Sequence, residues 1–155
     1  MKITFLCIGK TTDKQIKGLY EDYLKRLSHY AKVKIEYLEL RKKGLSAELL
    51  KIEEGKMILS KVDSSTNLIL LDEQGKQFSS EGFASFLQKG LNASSREMVF
   101  VIGGAYGFSE EVYSKASHKI ALSKMTFTHQ MVRLIFLEQL YRGFTILKGE
   151  KYHHS

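Results

Sequence analysis

The chain of 155 residues contains no proline, no tryptophan and a single cysteine. Without proline, element boundaries have to be read from glycines and polar clusters. The lone thiol, Cys7, excludes an intrachain disulfide framework and a cysteine-based zinc cluster. Long apolar runs are missing too: none approaches the roughly 18 residues that cross a bilayer. The opening segment Met1–Gly9 is too short and too regular for a signal peptide and reads as a first strand. There is no internal repeat, low-complexity tract or linker. What remains is 43% hydrophobic and 26% charged, the composition of an ordinary globular protein. A chain of this length buries roughly 70% of the surface it exposes when unfolded. The expectation is one domain over residues 1–155, located in the cytoplasm.

Twenty-four lysines and arginines face 17 acids, for a net charge of +7. The excess sits at the two ends: residues 1–35 carry eight basic residues against three acids, and residues 119–155 carry six against two. Two basic ends on one domain can meet as a patch for a polyanion, and a solvated surface explains the same counts.

Strand-like runs fall at Lys2–Ile8, Val33–Leu40, Asn67–Leu71, Met98–Ile102 and Lys119–Leu122. Between them, Thr12–Tyr30 and Ser46–Val62 place apolar residues at helical spacing. Two further helices start at Ser79-Ser80-Glu81-Gly82 and at Ser109-Glu110-Glu111, and a last long one runs from about Phe127 to Tyr141. Alternating strands and helices predict an α/β fold with a mainly parallel sheet flanked by helices. Ligands in such folds bind beyond the carboxyl ends of the strands, so the loops after Leu71, Ile102 and Leu122 are the ones to examine.

After the fourth strand, Gly103-Gly104-Ala105-Tyr106-Gly107 allows either close approach to a ligand or a tight turn. Its spacing is wrong for the dinucleotide fingerprint, which counts against a nucleotide- or flavin-binding oxidoreductase, and no phosphate-loop signature is present. Asp72-Glu73 after the third strand reads as acid/base machinery, as metal ligands or as a solvated turn. No metal-ligand spacing accompanies it. The densest polar stretch is Leu122–Arg133, where His129 and Arg133, four apart at a helix start, share a helical face. The terminal Tyr152-His153-His154 is either a frayed tail or a donor-rich cluster able to stack on a base.

Several ordered blocks combine over essentially the whole chain. They are Leu71-Asp72-x-x-Gly75-Lys76, Phe100-Val101-Ile102-Gly103-Gly104-x-x-Gly107, Leu122-Ser123-Lys124-Met125-Thr126-Phe127-x-His129-Gln130-Met131-x-Arg133, Glu138-Gln139-Leu140-Tyr141-Arg142 and Gly149-Glu150-x-Tyr152-His153. Together they resemble the bacterial ribosomal RNA large-subunit methyltransferase H family, small members of the SPOUT methyltransferases. The resemblance implies a sheet with a C-terminal trefoil knot, although threaded chains are otherwise rare. It implies methyl transfer from S-adenosylmethionine to N3 of a pseudouridine in helix 69 of 23S rRNA within the ribosome. Neither membrane nor DNA is implied as a partner. Carried over by motif, the cofactor would lie on Leu71, Gly103, Gly104, Leu122, Ser123, Lys124, Met125, Thr126 and Phe127. His129, Arg133, Tyr152 and His153 would be the catalytic group. Many relatives have proline where this chain has Thr128, which is itself a competent helix cap. The resemblance implies a homodimer, in which the tail of one subunit would complete the site of the other. Phe136, Leu137, Leu140 and Phe144 read as apolar surplus for that contact. The rival reading is a ribosome-associated RNA-binding protein without turnover.

Overall fold

Five apolar runs form five strands, and every pairing between them is parallel. The computed structural model describes residues 2–93 and 97–154. The strands are β1 (Lys2–Ile8), β2 (Lys32–Leu38), β3 (Asn67–Gln77), β4 (Met98–Ile102) and β5 (His118–Ala121). They alternate with helices α1 (Lys14–Leu27), α2 (Ala47–Leu59), α3 (Ser80–Asn92), α4 (Glu110–Lys115) and α5 (His129–Leu147). The sheet order is β2-β1-β4-β3-β5. A parallel sheet must be covered on both faces, and the alternation along each strand shows how. Ile3, Phe5, Cys7, Ile69, Phe100 and Ile102 meet side chains of α1, α3 and α5. Leu6, Leu68, Leu70, Val99 and Val101 meet Ile58 of α2 and Val112 of α4 on the opposite face.

Side chains cap each helix start: Asp13, Ser46, Ser79, Ser109 and Thr128 all accept from backbone N–H groups of the first turn. Helix α5 is the centre of its layer. Its Phe136 ring lies 4.6 Å from that of Phe5 and 4.8 Å from that of Phe100, distances typical of favourable aromatic pairs. Phe136, Leu137, Leu140 and Phe144 are all buried within the single chain. The expectation that they form a surplus for a second copy is therefore corrected: the helix is apolar on several sides because the sheet, α1 and α3 surround it. It also runs beyond Tyr141, because Gly143 serves packing rather than termination. A Cβ there would sit 2.7 Å from Leu87 Cδ1 of α3.

The third strand departs most from its expected bounds. It pairs with β5 through Leu71 opposite Ile120, leaves register, and returns with Lys76 opposite the same Ile120. Residues 72–75 of the strand form a bulge between the two pairings. Gly75 closes the loop against β5, where a Cβ would lie 2.6 Å from Ile120 N and from Lys119 C. Backbone cannot yield as a flexible side chain can. Gly75→Ala is expected to destabilise the fold by about 3 kcal/mol or more, the upper end of overpacking effects. Urea unfolding checks this, and a loss near zero would mean that the crossing is looser than its geometry.

Candidate functional site

A cavity of about 460 Å³ opens beyond the carboxyl ends of β3, β4 and β5, within the size range of small-molecule sites. Three strand-end segments line it. Leu71 begins the first, Gly103 and Gly104 belong to the second, and Leu122, Ser123, Met125, Thr126 and Phe127 make up the third. His129 and Val132 of α5 complete the wall. Lys124 alone of the expected cofactor residues is absent from the lining, and it is exposed.

The charged side chains of the lining, apart from the titratable His129, are the carboxylates of Asp72 and Glu73. The structure brings this pair into the site. Asp72 accepts from the Tyr113 hydroxyl through one oxygen, and from Gln74 N at 2.8 Å through the other. Burial, reinforced by the bond to Asp72, pushes the Tyr113 phenol up to about 12. Glu73 accepts from Thr126 Oγ1 at 3.0 Å and so ties the first segment to the third. A chain of net charge +7 has thus placed carboxylates, and no lysine or arginine, around its cavity. Among the described residues no group of three or more His, Cys, Asp or Glu could hold a metal ion.

The glycine loop has structural causes of its own. A Cβ on Gly103 would lie 3.0 Å from the Phe108 ring, one on Gly104 would run into the Glu54 carboxylate, and Gly107 has φ +81°. The Gly107 amide closes the turn onto Gly104 O at 3.2 Å. Glu54, on α2, gave no signal in the sequence. It is only 5% exposed, and its Oε2 has no hydrogen-bond partner among the described residues. Burial raises its carboxyl above the ordinary value of 4.5.

Thr128 caps α5 by accepting from Met131 N at 3.2 Å, and His129 stands exposed at the cavity's edge. Arg133 departs from expectation. It does not line the cavity, and it is 1% exposed. Its guanidinium turns inward to donate to Thr11 Oγ1 at 2.9 Å and to Ile8 O at 3.0 Å, beside the Tyr37 ring. Its Nε has no partner among the described residues. The shared helical face therefore divides: His129 meets solvent, while one turn on the longer side chain reaches beneath the β1–α1 loop. Tyr152 and His153 lie elsewhere within this chain. The Tyr152 hydroxyl donates to Glu138 Oε1 at 3.1 Å, and its ring meets that of Tyr141. His153 contacts Arg142 through Nδ1 at 3.3 Å and Glu81 through Nε2 at 2.8 Å. Arg142 is 13 residues along α5 from His129, which is about 20 Å at the helical rise of 1.5 Å per residue.

Glu54 yields a pH-dependent prediction. A carboxyl raised in the folded state supports stability fully below its unfolded value, and that support is lost as pH climbs through the folded value. Glu54→Gln is expected to melt with the wild type in acid and about 2–4 °C above it near pH 8. That gap corresponds to about 1 kcal/mol for a chain of this size. Thermal melts across this range test it, and a variant less stable at high pH would show that the charged form is paired.

The site can now be set beside known proteins. A family model described as "Predicted SPOUT methyltransferase" matches residues 1–153. The Ribosomal RNA large subunit methyltransferase H of Christiangramia forsetii is 55% identical over 156 residues, covering 99% of each chain. The protein of the same name from Flavobacterium johnsoniae is 55% identical over 157 residues, covering 100% of each. A probable methylase family protein from Haemophilus influenzae Rd KW20 has a solved structure similar at a TM-score of 0.50 and 12% identity. It covers 97% of this chain and 67% of that one, and bears on the fold alone. With a parallel α/β sheet, a cavity at its carboxyl edge and matches running from end to end, this chain belongs to the SPOUT methyltransferase family.

Proposed function

We propose that the protein transfers the methyl group of S-adenosylmethionine to N3 of a pseudouridine in helix 69 of 23S rRNA, acting in the cytoplasm on the assembled ribosome as a homodimer. The observation that carries this reading is the convergence of all three motif segments on one negatively lined cavity, in a chain whose end-to-end relatives bear the name Ribosomal RNA large subunit methyltransferase H. S-adenosylmethionine, when bound, supplies an activated methyl on a positively charged sulfur. Asp72 and Glu73 suit a cationic ligand, and Leu71, Gly103, Gly104 and the 122–127 segment would hold it. The pairing of β3 on both sides of its loop with Ile120 supports the knotted topology that the family implies.

Displacement at a methyl group requires an in-line approach, so the chain's main task is alignment. The nucleophilic N3 must also lose a proton. His129, which lines the cavity, would accept it, imidazole being the commonest general base in such steps. Tyr152 is unsuited to be the base. Burial first, then its contacts with Tyr23 and Glu138, hold its phenol protonated well above the ordinary value, so it serves as a donor and stacking surface. Arg133, enclosed under the β1–α1 loop, acts by fixing that loop to α5 rather than by touching substrate.

The separation of the tail from the cavity within one chain supports a site shared between two. Tyr152 and His153 of one copy would reach the cavity of the other. Leu19 of α1, 51% exposed, and Met131 of α5, 42% exposed, lie on helices that pack together and offer an apolar contact for the second copy.

Incubation with labelled S-adenosylmethionine and unmodified ribosomes, subunits or free rRNA tests the reaction. Label is expected on a helix 69 pseudouridine with the assembled ribosome as the best acceptor. No transfer to any acceptor, with salt-dependent ribosome binding retained, would favour the non-catalytic reading. Mixing two inactive variants tests the shared site. His129→Ala and a Tyr152→Ala/His153→Ala double variant are expected to recover about a quarter of wild-type activity, because random exchange leaves one intact composite site in half of the dimers. No recovery despite exchange of subunits would place the tail in its own chain's site.

A further inference from the structure

Strands β1 and β2 end side by side, with Ile8 opposite Leu38 and Gly9 N donating to Leu38 O at 2.8 Å. The loops that follow them, residues 9–13 and 39–46, therefore leave the sheet together. They do so at the carboxyl edge, where the cavity also opens. Gly9 and Gly44, with φ of +81° and +73°, let both loops turn. On and just after these loops stand six exposed cations: Lys10, Lys14, Lys17, Arg41, Lys42 and Lys43.

Nearby acids answer few of them. Glu39 lies 3.8 Å from Lys10 and Glu53 lies 3.2 Å from Lys42, while Asp13 is engaged in capping α1. Among the described residues Lys14, Lys17, Arg41 and Lys43 have no carboxylate within ion-pair distance. Lys14 and Lys17 also sit in the first turn of α1, which holds no acid of its own; the helix dipole opposes a cation there, and the capping Asp13 is the one carboxylate at that helix start among the described residues. By contrast α2, α3 and α4 carry acids in their first turns. This arrangement works against the stability of the free protein and favours an external anion.

The cluster is also held in place relative to the cavity. Gln130 of α5 accepts from Thr12 N at 2.9 Å and from Asp13 N at 3.2 Å, and it donates to Lys10 O at 3.3 Å. Arg133 anchors the same loop at Ile8 O and Thr11. The helix that begins with His129 thus fixes the first basic loop, and the second is hydrogen-bonded beside it.

We propose that Lys10, Lys14, Lys17, Arg41, Lys42 and Lys43 form a docking ridge for the phosphodiester backbone of the RNA substrate, setting that substrate in register with the cavity; this rests on the RNA-methylation reading above. Cations without an aromatic or apolar anchor among them suit sequence-independent phosphate contacts. Protein interfaces, by contrast, are depleted of lysine and built around apolar cores.

The test compares the wild type with Arg41→Ala/Lys42→Ala/Lys43→Ala, with Lys14→Ala/Lys17→Ala, and with a control set Lys2→Ala/Lys32→Ala/Lys115→Ala at the opposite edge of the sheet. Ribosome affinity is measured against potassium chloride concentration, and S-adenosylmethionine affinity by calorimetry. Each lost phosphate contact flattens the logarithmic salt slope by about 0.7–0.9. The triple ridge variant is expected to lose about two units of slope and at least tenfold in ribosome affinity near 0.1 M salt. KM for ribosomes should rise in step, with kcat and cofactor affinity unchanged. The control set should keep the wild-type slope. Lys14→Ala/Lys17→Ala should weaken ribosome binding while raising the melting temperature. A ridge variant that binds like the wild type, or a control that loses as much slope, would overturn the ridge and leave the methylation reading intact. A wild type that takes S-adenosylmethionine but binds neither ribosomes nor rRNA would overturn both.

Discussion

Everything at the carboxyl edge depends on the double pairing of β3 with Ile120. A strand that ended at Leu71 would leave Asp72, Glu73 and Gln74 free to splay into solvent. Here the chain returns at Lys76 to the residue it has just left, and the loop between is pinned by Gly75 against the backbone of β5. These residues are thereby held beside β5 and against the segment that β5 leads into. The bond from Thr126 Oγ1 to Glu73 then joins two segments that are more than 50 residues apart in sequence. The cavity is the space this crossing encloses, with the Gly103–Phe108 turn as its third side.

Helix α5 transmits that geometry to the rest of the molecule. Its first turn presents His129 to the cavity and, with Arg133 just after it, holds the β1–α1 loop through Gln130, and its middle fills the core between Phe5 and Phe100. Its later turns carry Glu138 and Arg142, on which Tyr152 and His153 settle. A shift of this helix would move His129, the basic loop and the tail together. The buried Arg133 makes such a shift costly. Among the described residues it has no carboxylate partner and is held by a carbonyl, a hydroxyl and an aromatic face, and moving it would strip those contacts from a desolvated cation.

The strands, the helix caps and the three cavity segments were legible because they rest on local rules: apolar runs, polar starts and glycine turns. What escaped were features that only tertiary contact creates. The return of β3 has no local signature, since Asp72-Glu73-Gln74-Gly75 reads as an ordinary turn until β5 is present. The family motif puts Arg133 on the substrate side, and its spacing from His129 agrees with that. That spacing fixes the side of the helix but not where a long side chain ends. Glu54 was invisible because its burial comes from the close approach of Gly104, a contact between distant elements. Phe136, Leu137, Leu140 and Phe144 misled for the same reason: an apolar excess on one helix does not say whether its partners are in the same chain.

The charge distribution, read last, makes the two halves of the carboxyl edge complementary. The cavity is lined by carboxylates, while the β1–α1 and β2–α2 loops beside it are rimmed by cations. A small cation and a polyanion brought to the same edge would be sorted by this field before either met a specific contact, since local potentials act over about a Debye length of 8–10 Å. Had the lysines lined the cavity, phosphate would compete for it. Had the carboxylates stood on the rim, they would repel the backbone to be docked. A net charge of +7 therefore says less about what the protein meets than the placement of its few acids does, and the crossing at Ile120 is what puts two of them inside.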